Sequence, residues 1–178
     1  MAVARWSLLI WGALSLAGVI VFAAVIGYKL GPGNRDKIGL ATAHDVRFVL
    51  NWCGLGDQRT EKVVHSHVSA RSFTGDHLHA YAIKISHIDV AELTKETDHL
   101  RGRWYRGDQL PEIVAAGVDF VGGWLHELPW FPSKNELRGA EFYVYPWSIY
   151  FHGIRPTAAE IIFIRPSDSM IFYLSAKT

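Results

Sequence analysis

The sequence predicts an α+β domain behind a single N-terminal transmembrane helix. The domain is expected to hold a mostly antiparallel sheet of about five strands with helices on one face. Three observations predict this. An uncharged apolar run opens the chain. The middle switches between strand-like and helix-like periods. The last third is rich in β-branched and aromatic residues, broken by turn signals.

The opening run, Trp6 to Tyr28, reads WSLLIWGALSLAGVIVFAAVIGY and carries no charge. A helix of about 23 residues rising about 1.5 Å each reaches about 34 Å, enough to cross a hydrocarbon core of about 30 Å. Its backbone groups bond within the helix, and Trp6 and Tyr28 stand at the ends, where amphipathic rings suit the interface. A cleaved signal peptide has a shorter apolar region, about 7–15 residues, before a small-x-small site. Here Ala23-Ala24 is followed by further apolar residues. Leu16-Ala17-Gly18 begins like a lipobox, but Val19 stands where the lipid-bearing Cys belongs. A soluble core helix would keep a polar face, and this run has none. Ala13, Ala17 and Ala24 share a stripe, as do Ala23 and Gly27, but small residues are common in such helices without marking a dimer.

Orientation is balanced between two signals. Arg5 lies on the N-terminal side, while Lys29, Arg35, Lys37 and Arg47 follow the run. The positive-inside rule places the domain in the cytoplasm. A short N-terminus before an apolar run has the form of an export signal-anchor. We weight that form more and expect a domain outside the cytoplasm, periplasmic if the source is bacterial. The chain thus divides into an anchor at 1–30, a linker at 31–40 and a globular domain at 41–178.

The 178 residues carry a net charge of +1, with acids and bases interspersed. No basic stripe marks a nucleic-acid binder. Cys53 is the single cysteine, so an internal disulfide, a zinc knuckle and a C-x-x-C pair are all excluded. It falls at helical spacing with Val46, Val49 and Leu50, which predicts a core thiol.

Along the domain, Thr42 caps a helix to Cys53, with Asp45 three residues on and Gly54 as the stop. Strands follow over Lys62–Phe73 and His77–Ser86, joined at Thr74-Gly75-Asp76 by a type II′ turn. That register sets Ser66, Val68 and Ala70 opposite Ile85, Ile83 and Tyr81. Asp89 and Glu92 start a short helix, and Thr97–Gln109 reads as loop. A longer helix runs from Gln109 to Leu128, capped by Asp108, weakened at Gly122-Gly123 and ended by Pro129. Ser133 and Glu136 cap a further turn. Ala140–Phe151, Glu160–Ile164 and Met170–Ser175 are strands; the last two are apolar on both parities and belong at the sheet centre. Pro146 marks a bulge or an edge.

Candidate chemistry is sparse. His65 and His67 share a strand face and are the metal-ligand candidates, but zinc needs three or four ligands. The expected register puts Lys84 beside them, which opposes a cation. No H-E-x-x-H, G-x-S-x-G or phosphate loop occurs, and no cofactor is expected. Arg106-Gly107-Asp108 spells an adhesion tripeptide, a pattern short enough to recur by chance.

The aromatic residues are the distinctive feature, dense between Trp124 and Phe151. Buried, they make a bulky core; exposed, they suit a protein, peptide or sugar. The Trp130-Phe131-Pro132 loop is the part expected at the surface. Trp130, Phe131, Tyr145 and Trp147 are the expected binding residues. The favoured function is a binding or interaction protein that meets a protein partner at the membrane, such as a toxin-neutralising protein or an accessory subunit. A hydrolase using His and Asp/Glu, or a structural subunit of a membrane complex, are the alternatives. Deleting residues 1–30 is expected to move the chain from the carbonate-resistant membrane pellet to the supernatant. A full-length chain already in the supernatant contradicts the anchor.

Overall fold

The computed structural model describes residues 2–31, 34–72, 74–94 and 102–178. The chain forms two units, Met1–Arg35 and Asp36–Thr178. The first is built on α1 (Ala2–Leu30). Within it Trp11–Tyr28 has a mean hydropathy of 1.9 and none of it is buried. A membrane span needs that length and composition, and a signal sequence shares them.

The second unit is an open antiparallel sheet of seven strands: β1 (Lys37–Ile38), β2 (Thr60–Val68), β3 (His77–Ile85), β4 (Tyr105–Arg106), β5 (Tyr143–His152), β6 (Arg155–Arg165) and β7 (Met170–Lys177). The spatial order is β1-β2-β3-β7-β6-β5-β4. Seven rather than five results from the two outer pieces. β1 lies in the segment expected to be linker and pairs Lys37 with Val68. β4 lies in the segment expected to be loop and pairs Tyr105 with Val144. Two residues are too few to show an alternation. The first residues of that loop, 97–101, and Phe73, the expected end of a strand, lie outside the described residues.

Helices cover both faces, not one. Consecutive strand residues point to opposite faces, so the doubly apolar β6 and β7 need two covers. On one face α4 (Glu112–Gly122) and α5 (Lys134–Leu137) pack Val114, Val118, Val121 and Leu137 over Ala159, Ile161, Phe163 and Phe172. On the other, α2 (Ala43–Trp52) and α3 (Val90–Thr94) pack Val46, Val49, Leu50 and Leu93 over Ile83, Ile162, Ile164 and Ile171.

Local chemistry explains most helix ends. Asp45 Oδ2 accepts the Thr42 N–H at 2.8 Å and its hydroxyl at 2.7 Å at the start of α2. At the other end Leu55 N–H bonds Leu50 O at 2.9 Å and Gly54 N–H bonds Asn51 O at 3.3 Å, a Schellman closure with Gly54 at φ +79°. Cys53 is buried and donates to Leu50 O at 3.4 Å. Burial pushes its thiol up to about 12. The expected helix over 109–128 is shorter: α4 ends at Gly122, and a 3₁₀ turn follows at Leu125–Glu127. Pro111, not Asp108, precedes α4. Asp108 instead pairs with Arg106 at 2.6 and 2.7 Å, so the charged ends of the tripeptide close on each other.

The β2–β3 register differs from expectation by four residues. Val68 faces His79, Ser66 faces Tyr81 and His65 faces Ala82. The strands end at Val68 and His77 and leave a loop in place of a tight turn. Side-chain bonds hold that loop: Ala70 N–H to Asp36 at 2.7 Å, Leu78 N–H to Ser69 at 2.8 Å, and Asp76 N–H to Ser72 at 2.8 Å. Breaks in register beside Glu61 and Val64 add further offset. In β5 the register breaks just after Pro146, at Trp147.

Phe163 is fully buried under Phe131. Phe163→Ala is expected to cost about 3–5 kcal/mol of unfolding free energy in urea melts. Phe151→Ala, on a half-exposed ring, should stay within about 0.5 kcal/mol.

Candidate functional site

The α2 cover stops before the sheet does. Beyond it one row crosses four strands: His79 on β3, Ser175 on β7, Glu160 on β6 and Ser148 on β5, each paired with the next. The row is polar in the middle of an otherwise apolar sheet. Its neighbours on the helix side are Tyr81 and Tyr173, stacked at 5.8 Å. Phe48 and Trp52 reach them from α2, Phe48 lying 5.4 Å from Tyr173 and Trp52 6.2 Å.

The bulge in β5 completes this edge. Trp147 is the extra residue, so it and Ser148 present to the same face in succession. The Trp147 indole stacks on Trp52 at 4.8 Å with planes 4° apart. Ser148 Oγ donates to Glu160 Oε2 at 2.9 Å. Tyr173 OH points to Glu160 Oε1 at 3.5 Å. Glu160 is half-buried, and among the described residues no cation pairs with it. A carboxylate held only by hydroxyls keeps its charge unneutralised. Burial pushes the Tyr173 phenol above its ordinary range, and the Glu160 charge adds to this. The phenol therefore stays protonated as a donor.

His77 lies at the end of the strip. Its Nδ1 sits 3.0 Å from Gly75 O and its Nε2 3.2 Å from Ser175 Oγ. A carbonyl only accepts, so Nδ1 carries the hydrogen and Nε2 accepts from the serine. The pairing has the form of a nucleophile and its base. Yet Ser175 is 2% exposed, so its hydroxyl serves the sheet rather than an incoming substrate. His79 packs 4.8 Å from His77. Burial lowers its pKa to about 4, helped by the neighbouring His77, Arg71 and His67 charges.

The four aromatic residues singled out by sequence do not converge. Trp147 and Tyr145 lie on the α2 face, Tyr145 buried 5.3 Å from Trp104. Trp130 and Phe131 lie on the α4 face. The loop expected at the surface is folded in: Phe131 and Pro132 are buried, and Trp130 stacks on His65 at 5.1 Å. His65 and His67 share the α4 face, opposite Ala82 and Ala80 rather than Ser86 and Lys84. His67 is 8% exposed and its Nε2 has no hydrogen-bond partner among the described residues. Among the described residues no three His, Cys, Asp or Glu side chains converge to hold a metal. Sequence reasoning missed Trp52, Glu160, Ser148 and Ser175. Glu160 was the available signal, the one charge in a run of apolar strand residues.

His79 gives this face a pH signature. An imidazole whose folded pKa lies below its ordinary value of 6.5 stabilises the fold above that value. The contribution is lost as pH falls from there toward about 4. Asp45 and Asp76, held low by side-chain hydrogen bonds, titrate below this window. Partial exposure discounts the size, so lowering the pH from about 7 to about 5 should cost about 1 kcal/mol in urea melts. His79→Gln should remove that slope; an unchanged slope would assign it elsewhere.

Comparison with protein-family models, with curated proteins and with solved structures found no match to this chain.

Proposed function

We propose that this chain is a membrane-anchored interaction protein whose domain works outside the cytoplasm, in the periplasm if the source is bacterial. Its partner is a protein that presents a Lys or Arg side chain to the α2-face strip. One observation carries this reading: among the described residues the half-buried Glu160 has only hydroxyl partners, and it lies one strand from the Trp147 indole stacked on Trp52. A carboxylate supplies the charge for such a group, and indole faces favour cations. The carboxylate is already partly desolvated and held by Ser148, so less is lost when a partner covers it. Trp130 and Phe131 leave the proposal, because they pack on the other face.

The test is recovery of membrane partners by full-length protein after crosslinking. Glu160→Gln and Trp147→Ala should each lower recovery of a specific partner more than about tenfold while the urea midpoint stays near wild type. Equal recovery by wild type and both variants would sink the proposal.

A further inference from the structure

The most exposed apolar side chain of the domain is at the tip of the β5–β6 hairpin. Strand pairing runs to His152 and Arg155, leaving Gly153 and Ile154 as a two-residue turn. Gly153 has φ +61°, as the first position of a type II′ turn requires. The second position usually takes a small polar residue. Here it takes Ile154, 93% exposed, flanked by Tyr150 at 63% and Phe151 at 40%. The hairpin projects past its neighbour, since pairing with β7 begins only at Ala158 and Lys177. That overhang is three residues, about 10 Å.

The topology fixes which end of the sheet this is. His77 pairs with Lys177 and Lys177 with Ala158, so the start of β3, the end of β7 and the start of β6 coincide. Lys37 pairs with Val68, the end of β2, so β1 begins there too. The chain therefore joins the domain, at Asp36, on the same sheet end as the hairpin tip. Gly31 to Arg35 are five residues, which span at most about 18 Å in any conformation. Lys37, Arg71, Arg155 and Lys177 lie at this end, against Asp36 and Asp76. Asp36 accepts from Ala70 N–H and Asp76 from the Thr74 hydroxyl.

We infer that the β5–β6 hairpin tip is a second membrane contact, with Phe151 and Ile154 seated in the lipid interface. This rests on the reading of α1 as an anchor. A short tether from lipid to Asp36 brings the hairpin end within reach of the bilayer. Tyr150 and Phe151 are residue types that favour the headgroup boundary. The surrounding lysines and arginines favour anionic headgroups. A rigid two-residue turn delivers the apolar group with little ordering cost.

The test uses the full chain in vesicles of phosphatidylcholine with a minority of phosphatidylglycerol. Ile154→Cys carries a nitroxide, and Ser167→Cys carries one at the opposite sheet end. Cys53 is buried and its thiol protonated, so it stays unlabelled. The label at 154 should be several-fold more accessible to oxygen, relative to a water-soluble nickel chelate, than the label at 167. Adding charge next to it with Phe151→Asp should reverse that ratio. Equal nickel access at both sites overturns the proposal. A label at 154 shielded from both reagents also overturns it, in favour of a protein contact. Flotation of the same vesicles separates the two readings. A chain that does not float removes the anchor and this inference together; a chain that floats with position 154 in water removes the tip contact alone.

Discussion

Strands β6 and β7 are apolar on both faces, and the rest of the domain follows from covering them. Ile161–Ile164 and Ile171–Leu174 are buried without interruption along both strands. Adjacent residues point to opposite faces, so a single layer of helices would leave half of these side chains in water. The segment between β3 and β5 supplies α4 and α5 to one face. The segments before β2 and after β3 supply α2 and α3 to the other. The pairing order adds a second demand. β7 lies between β3 and β6, so the N-terminal hairpin joins the sheet only through the last strand. The fold is thus closed by contacts far apart in sequence, which makes its assembly slow relative to a helical domain of this size.

Legibility in the sequence tracks how local the determining interaction is. The start of α2 at Thr42 and its stop at Gly54 are set within a few residues, and both were readable. The turn at Pro166–Asp168 is equally local, with Arg165 and Asp168 paired at 2.7 and 3.0 Å. The doubly apolar runs identified the sheet centre. Their second consequence, cover on both faces, is carried by the same pattern, since each run is apolar on both parities. The β1 and β4 strands were invisible because their partners, Val68 and Val144, are distant and supply all the order. The β2–β3 register failed for a physical reason: Ser69, Ser72 and Asp36 cap loop backbone groups with side chains, so the chain does not need the tight turn that Gly75-Asp76 suggests.

The candidate strip was illegible for related reasons. A row across His79, Ser175, Glu160 and Ser148 exists only once three strand registers are known. The bulge at Trp147 then breaks the alternation that would otherwise separate the indole from Ser148. What the row expresses is a boundary. Where α2 covers the sheet, the same rank of strands carries Tyr81, Tyr173 and Ile162. Where the cover ends, it carries Ser and Glu. The Trp52–Trp147 stack lies at that boundary, with Trp147 next in sequence to the Ser148 that holds the carboxylate. Aromatic density in the sequence signalled the boundary's material without its position, because half of those rings pack on the opposite face around Phe163.

Strand polarity ties this strip to the end of the sheet that carries the hairpin. The outermost row there is His77, Lys177, Ala158 and Tyr150; the row of Glu160 is the next one in, about 7 Å away along the strands. A domain held to a bilayer by one apolar helix alone would be free to turn about its tether. The proposed second contact at Phe151 and Ile154 would remove most of that freedom, and it would do so with side chains that lie outside both core clusters. On that reading the Glu160 carboxylate is held close to the bilayer surface. A carboxylate with no cationic partner among the described residues is a poor choice for stability, but a useful one if, as proposed, its partner is met at the membrane plane. On the two proposals together, the apolar tip and the Glu160 carboxylate are two parts of one constraint: the tip would set the height at which the charge can be met.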